Sequence, residues 1–319
     1  MSDAFITPKR DRWGRYLLPD PDTGIECAWQ RVTTLVKIPA DTFALERWKM
    51  RRVAKGLAQR PDLLARAAAA DIDDRKDLDD VVSAAIEAAE GSAAANMGTA
   101  IHRIVERLCR GEDPDVPADL RSTVDAWRRV TDAAGITFDA ALVERIVVNT
   151  DLVVAGTLDA IATLPDGTRV VADIKTGTSV EYGAGEWAAQ LAAYARARGL
   201  WNGGTGLDAW DPMPAGLDVT RGLIVHLPAG AGECHLFWVD LEAGWTWARR
   251  AAAIREMRKQ ARSWIAPAVD LTPAVEPTPV GTAERKAQLL ERLRSLPGEL
   301  RARARAEWPE GVPGFKTPH

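Results

Sequence analysis

Two apolar arms around Pro165-Asp166-Gly167 constrain this chain more than any other stretch. Val, Ile, Leu and Thr dominate Leu152–Leu164 on one side and Thr168–Lys175 on the other. β-Branched runs suit a pleated surface and Pro-Asp-Gly suits a tight turn, so the pattern predicts two strands joined as a hairpin. A three-residue loop sets Leu164 against Thr168, and counting back along both arms sets Asp159 against Asp173. Directly opposed residues carry Cβ atoms roughly 4.5–5.5 Å apart. Lys175 lies two residues past Asp173 and so shares its face. Two carboxylates and an ammonium are then expected on one small patch. Like charges that close are costly inside apolar strands unless something neutralises them. Hard oxygen ligands at this spacing suit Mg²⁺ or Mn²⁺. The plainer alternative is a hairpin with two surface aspartates and a nearby lysine, since Asp-x-Lys alone is a weak signal.

The rest of the composition narrows the field by exclusion. With 319 residues, the chain has room for one large domain or one domain with appendages. A formal net charge of -4 carries no whole-chain signature of nucleic-acid binding, so any DNA contact must come from local basic patches. Cys27, Cys109 and Cys234 are far apart and form no C-x-x-C pair, which argues against a zinc site, an iron–sulfur cluster or a disulfide framework. No signal peptide and no membrane-spanning apolar run is found, and the expected setting is cytoplasmic.

In chain order, residues 1–95 read as an N-terminal arm and helical region, 96–265 as a core, 266–282 as a proline-rich linker and 283–319 as a helical tail. Lys9, Arg10, Arg12 and Arg15 cluster around Trp13 and Tyr16 in an irregular, loosely docked arm, with DNA contact as the alternative. Arg31–Val36 is a strand-like run, and Asp41 is placed to cap a helix through Lys55. Further helices are expected at Pro61–Ala70 and Val81–Glu90, the acidic run Asp71–Asp80 serving as cap and solvated surface. Asn96–Gly111 is amphipathic through Ile101, Ile104, Val105 and Leu108, and Gly98 leaves room beside it. His102 sits beside that stripe and by itself reads as a packed, hydrogen-bonded residue. Leu120–Ala134 is helical, and the strand Phe138–Asn149 is interrupted by Glu144. In the helix Glu186–Leu200, Trp187, Gln190, Leu191 and Tyr194 share one face. A glycine- and proline-rich loop (Trp201–Leu217) leads to a second hairpin, Asp218–Leu227 with Glu233–Asp240, and a long helix, Leu241–Ile265.

Four short motifs thus follow one another: Gly98-Thr99-x-x-His102, Gly156-Thr157-x-Asp159, Asp173-x-Lys175-Thr176-Gly177 and Gln190-x-x-x-Tyr194. In this order and spacing they resemble the RecB-like branch of the PD-(D/E)XK nuclease superfamily, which includes CRISPR-associated RecB-like and many phage exonucleases. The likeness covers about residues 96–240, and Arg31–Trp48 is similar to the start of phage members. It implies an α/β (α+β) fold with a restriction-endonuclease-like core, a mixed β-sheet flanked by helices, with a helical N-terminal region and a helical C-terminal appendage. It further implies that Asp159 and Asp173, with the carbonyl of Ile174 and with His102, hold Mg²⁺ or Mn²⁺, Glu144 adjoining. Lys175 would orient the attacking water or stabilise charge on the phosphate, and Gln190, Tyr194 and Thr176 would contact DNA.

The activity so implied is a metal-dependent DNA exonuclease working on linear ends in recombination, repair or phage replication. A single-strand annealing protein is the implied partner, an oligomer is compatible, and a phage-encoded member would act in the host cytoplasm. The alternatives are a structure-specific endonuclease and a catalytically silent DNA-binding or assembly subunit. Two departures are plain: the four cysteines of the iron–sulfur members are absent, and no Gly-x-x-x-x-Gly-Lys-Ser/Thr phosphate loop provides a motor.

Overall fold

The computed structural model describes residues 7–89 and 93–266, with scattered positions between 284 and 295. The chain divides into two compact units, residues 1–262 and residues 263–319. In the second unit the described positions Glu284, Ala287, Gln288, Glu291, Arg292 and Ser295 are helical. Most of the expected linker and tail lies outside the described residues.

The first unit begins with a hairpin, β1 (Tyr16–Pro19) and β2 (Glu26–Arg31). Asp20 holds its turn by accepting the Asp22 and Thr23 amides, each at 2.9 Å. The N-terminal arm is therefore not loosely docked: Tyr16, Leu18 and Trp29 are buried against Ile146, Val148 and Ala155. The strand-like run Arg31–Val36 is also corrected. The strand ends at Arg31 and a short helix follows, α1 (Val32–Val36), whose Val32, Leu35 and Val36 are buried at helical spacing. Packing onto the core overrides the β preference of that valine- and threonine-rich run.

Three helices follow: α2 (Phe43–Gln59), α3 (Pro61–Ala69) and α4 (Arg75–Ala88), gathered on Leu63, Val81 and Ala85. α4 starts earlier than expected because Asp74 is its cap, accepting the Asp77 amide at 3.1 Å. Then come α5 (Ala93–Cys109), α6 (Arg121–Ala133) and the antiparallel run β3 (Thr137–Asn149), β4 (Val154–Thr163) and β5 (Arg169–Lys175). The remainder is α7 (Ala184–Ala195), β6 (Gly199–Trp201), β7 (Trp210–Asp211), β8 (Arg221–His226), β9 (His235–Asp240) and α8 (Leu241–Gln260). α7 stops short of the expected Leu200 because Leu200 and Gly199 pair with Val147 and Val148 of β3.

Among the described residues there are nine strands, in one mixed sheet ordered β7-β6-β3-β4-β5-β8-β9, with β2 joined to β4 and β1 to β2 off that path. β5 and β8 run parallel, as do β2 and β4. Helices cover both faces. Ile161, Val171 and Ile224 pack with α1, α7 and α8 through Leu35, Leu191 and Ala248. Ala160, Val170, Ile174 and Val225 pack with α5 and α6 through Ile101, Val105 and Val124. The expected mixed sheet flanked by helices is the fold observed. Among the described residues no helix is long and apolar enough to cross a membrane.

Candidate metal centre

The register of the β4–β5 hairpin places the site. Leu164 donates to the Thr168 carbonyl at 2.9 Å, and the pairs Thr163–Arg169 through Ala160–Ala172 follow from that turn. One step further lie Asp159 and Asp173. There the ladder gives way, and the Ile174 amide donates instead to Asp159 Oδ2 at 2.8 Å. Ile174 thus serves the site through its N–H, a contact not anticipated for it.

α5 supplies the next group. Ile101, Ile104 and Val105 seat the helix on the sheet, and this holds His102 at the rim. Its Nε2 lies 3.0 Å from Asp159 Oδ2. β3 supplies Glu144, at a step flanked by the pairs Val143–Ala160 and Arg145–Leu158. Its φ is 52°, the left-handed region that a glutamate seldom occupies. One ligand atom from each of His102, Glu144 and Asp159 lies within 4.8 Å of the others.

Asp173 stands beside this trio and is only 2% exposed. Its Oδ1 accepts from Gln190 Nε2 at 3.0 Å, and its Oδ2 meets Lys175 Nζ at 2.5 Å. Oδ2 nevertheless accepts no aligned hydrogen bond. The two observations agree if the ammonium approaches off the lone-pair direction, so the contact is one of charge. Lys175 Nζ also lies 5.5 Å from the centre of the Trp187 ring.

Gln190 is half-buried and its amide bonds Asp173, whereas Tyr194 lies deeper. Tyr194 is 2% exposed, its hydroxyl 3.4 Å from Gln190 Nε2, and a Cβ at Gly156 would fall 2.6 Å from its ring. The tyrosine is a buried support behind Gln190, and Gln190 orients Asp173. Thr176 is half-buried, and its hydroxyl fills the room that Gly98 leaves beside α5.

The electrostatics follow from crowding. The hydrogen bond that His102 donates to Asp159 lifts the His102 pKa to about 9 against the opposing effect of burial. Burial, then the charge of Asp159, pushes Glu144 up to about 8. Asp173 rises to about 6 through burial and the charge of Asp159, with Lys175 opposing. Groups that resist losing their protons are short of a positive partner. The donor set, one imidazole with the carboxyls of Glu144 and Asp159 and with Asp173 adjoining, fits a divalent cation of the Mn²⁺ or Mg²⁺ type.

Two residues were missed in the sequence. Glu106, one turn beyond His102, pairs with Arg110 at 2.7 Å and adds to the charge that Glu144 feels. The His-x-x-x-Glu spacing on a helix was its signal. His226, 5% exposed, meets the Gly177 carbonyl at 2.7 Å and ties down the segment after Lys175. A histidine closing an apolar strand was the only hint. Neither the scan of protein-family models nor the search of curated proteins matched this chain to anything.

Proposed function

We propose that the chain is a metal-dependent deoxyribonuclease that hydrolyses phosphodiester bonds, acting as an exonuclease on linear DNA ends. One observation carries this reading: His102, Glu144 and Asp159 converge from three separate elements beside the Asp173–Lys175 pair. His102, Glu144 and Asp159 would hold Mg²⁺ or Mn²⁺, with Asp173 adjoining. When bound, such an ion neutralises charge on a phosphate and makes a water a better nucleophile.

The side chains supply the rest. Lys175 keeps a fixed ammonium at the edge of the carboxylate group, where charge grows on a phosphate under attack. Gln190 fixes the orientation of Asp173, and Tyr194 fixes Gln190. Glu144, drawn up to about 8 by burial and the charge of Asp159, would give up its proton to serve as a ligand. The resemblance to RecB-like nucleases supports the same chemistry and is the ground for preferring ends over interior sites.

End-labelled linear duplex DNA, incubated with Mn²⁺, Mg²⁺ or EDTA, tests the proposal. Metal-dependent shortening by the wild type, lost in Lys175→Ala, is expected. A covalently closed circle should survive; its cleavage would replace the exonuclease by an endonuclease. Linear DNA left intact under all conditions would overturn the nuclease reading.

A further inference from the structure

We propose that Trp13, with Arg10 and Arg12, is a stacking platform for an unpaired nucleobase and receives a single strand beside the metal centre. The substrate class rests on the nuclease reading above, but the observations concern different atoms.

Trp13 is 63% exposed, yet its backbone is firmly held. Asp11 Oδ1 accepts the amides of Trp13 and Arg15, each at 2.9 Å, and the Asp11 carbonyl accepts the Gly14 amide at 2.9 Å. Gly14 permits this turn with a φ of 73°. The indole is thus presented to solvent on a small, fixed turn. A large apolar ring displayed this way forgoes the stabilisation of burial, and a flat partner would restore it.

The charges around the ring select that partner. The Arg12 guanidinium lies 4.0 Å and that of Arg15 5.0 Å from the Trp13 ring centre, and Arg10 lies 3.9 Å over Tyr16. Arg15 is paired with Asp11 at 2.6 Å. Among the described residues no ion pair ties Arg10 or Arg12 to a carboxylate. A cationic or neutral aromatic ligand gains little from this combination. A flat base carrying phosphates gains from both, taking the place of the Arg12 guanidinium on the indole face while that guanidinium turns to a phosphate.

Placement links the platform to the metal centre. Tyr16, three residues on, is buried, and its hydroxyl lies 3.0 Å from Thr157 Oγ1. Thr157 stands two residues before Asp159 on β4. Three residues of chain span at most about 10 Å, so Trp13 stays close to the strand that bears Asp159. The arm cannot drift, because Leu17 donates to the Lys9 carbonyl at 2.9 Å and β2 pairs with β4.

Fluorescence anisotropy in EDTA tests this, with a fluorescein-labelled single strand of mixed sequence and a blunt duplex as probes. Trp13→Ala should weaken single-strand binding about tenfold, the loss of one stacked base. Trp13→Phe should recover most of it, and blunt-duplex binding should change little. Arg12→Gln should weaken binding and reduce the salt dependence by about one unit of slope. Thermal melting should match the wild type, since the indole is exposed. Equal single-strand binding by wild type and Trp13→Ala, or no binding by the wild type, overturns the platform. Because the assay excludes metal and needs no cleavage, failure of the nuclease reading leaves this result separately legible.

Discussion

Glu144 faces Asp159 across β3 and β4, at a step between the pairs Val143–Ala160 and Arg145–Leu158. Glu144 has a left-handed φ of 52° and a carboxyl oxygen within 4.8 Å of one on Asp159, and a cation would favour both being ionised. Glu144→Gln should therefore leave the metal-free melting temperature at neutral pH almost unchanged, because the native acid already keeps its proton there. The same substitution should remove most of the rise in melting temperature that Mn²⁺ gives the wild type. At a hundredfold excess over Kd that rise corresponds to about 2.7 kcal/mol. Scanning calorimetry with Mn²⁺ or EDTA checks both halves, and an intact Mn²⁺ shift in the mutant would remove Glu144 from the ligand set.

The pH dependence of metal-free stability has a definite sign. Asp173 and Glu144 have folded pKa values raised to about 6 and about 8, so the folded state holds protons that the unfolded chain releases near 4. Each contribution falls as pH climbs from the ordinary carboxylate range through the raised value. His102, raised to about 9, adds stability that is complete below its ordinary 6.5 and disappears as pH passes 9. All three slopes point the same way. Urea unfolding in EDTA should show stability decreasing between about pH 4 and pH 9, whereas Mn²⁺ affinity should increase over that range because binding releases protons. Stability that rises from pH 6 to pH 9 would contradict this account.

Lys175 and Gln190 should separate by rate. Lys175→Ala removes the fixed charge, and a loss of about 10²–10³ in the single-turnover cleavage rate is expected. Gln190→Leu leaves Asp173 Oδ1 without its donor and should cost roughly tenfold, with DNA affinity retained. If Gln190→Leu loses affinity and keeps its rate, Gln190 binds DNA directly and does not orient Asp173.

Close backbone approach between α7 and α8 gives a stability test remote from the site. A Cβ at Gly244 would strike the Ala188 carbonyl, which is backbone and cannot swing aside. Gly244→Ala should cost about 1–3 kcal/mol in urea unfolding. A neutral result would mean that the two helices separate without penalty.

The hairpin was legible because Pro165-Asp166-Gly167 sets the register by arithmetic, and the arithmetic carries from Leu164 to the pair Ala160–Ala172, one step short of the two aspartates, where the ladder gives way. Helical spacing makes His102 a packed, hydrogen-bonded residue, and only the resemblance sets it among the ligands; its Nε2 meets Asp159 Oδ2. Glu144 was visible as an intruding acid, but its φ was not, since a left-handed backbone leaves no mark on a glutamate in a sequence. Periodicity puts Gln190 and Tyr194 on one helix face but gives no depth, and Tyr194 is 2% exposed. β2 and α1 were misplaced for a longer-range reason. Whether Val32–Val36 coils or extends is decided by Val154 and the core behind it, more than a hundred residues away.

That same pairing bears on how the chain is made. The pair Gln30–Val154 joins residues separated by 124 positions, so β1 and β2 leave the ribosome long before their partner strand exists. At roughly 5–20 residues per second, the side chains of Leu18 and Trp29 wait on the order of ten seconds for Val148 and Ala155. Nascent chains arrested before Val154 should accordingly expose the hairpin to protease and to holding chaperones, and chains arrested after α8 should protect it. An early segment that supports the site is thus secured only once a strand more than a hundred residues later has been made.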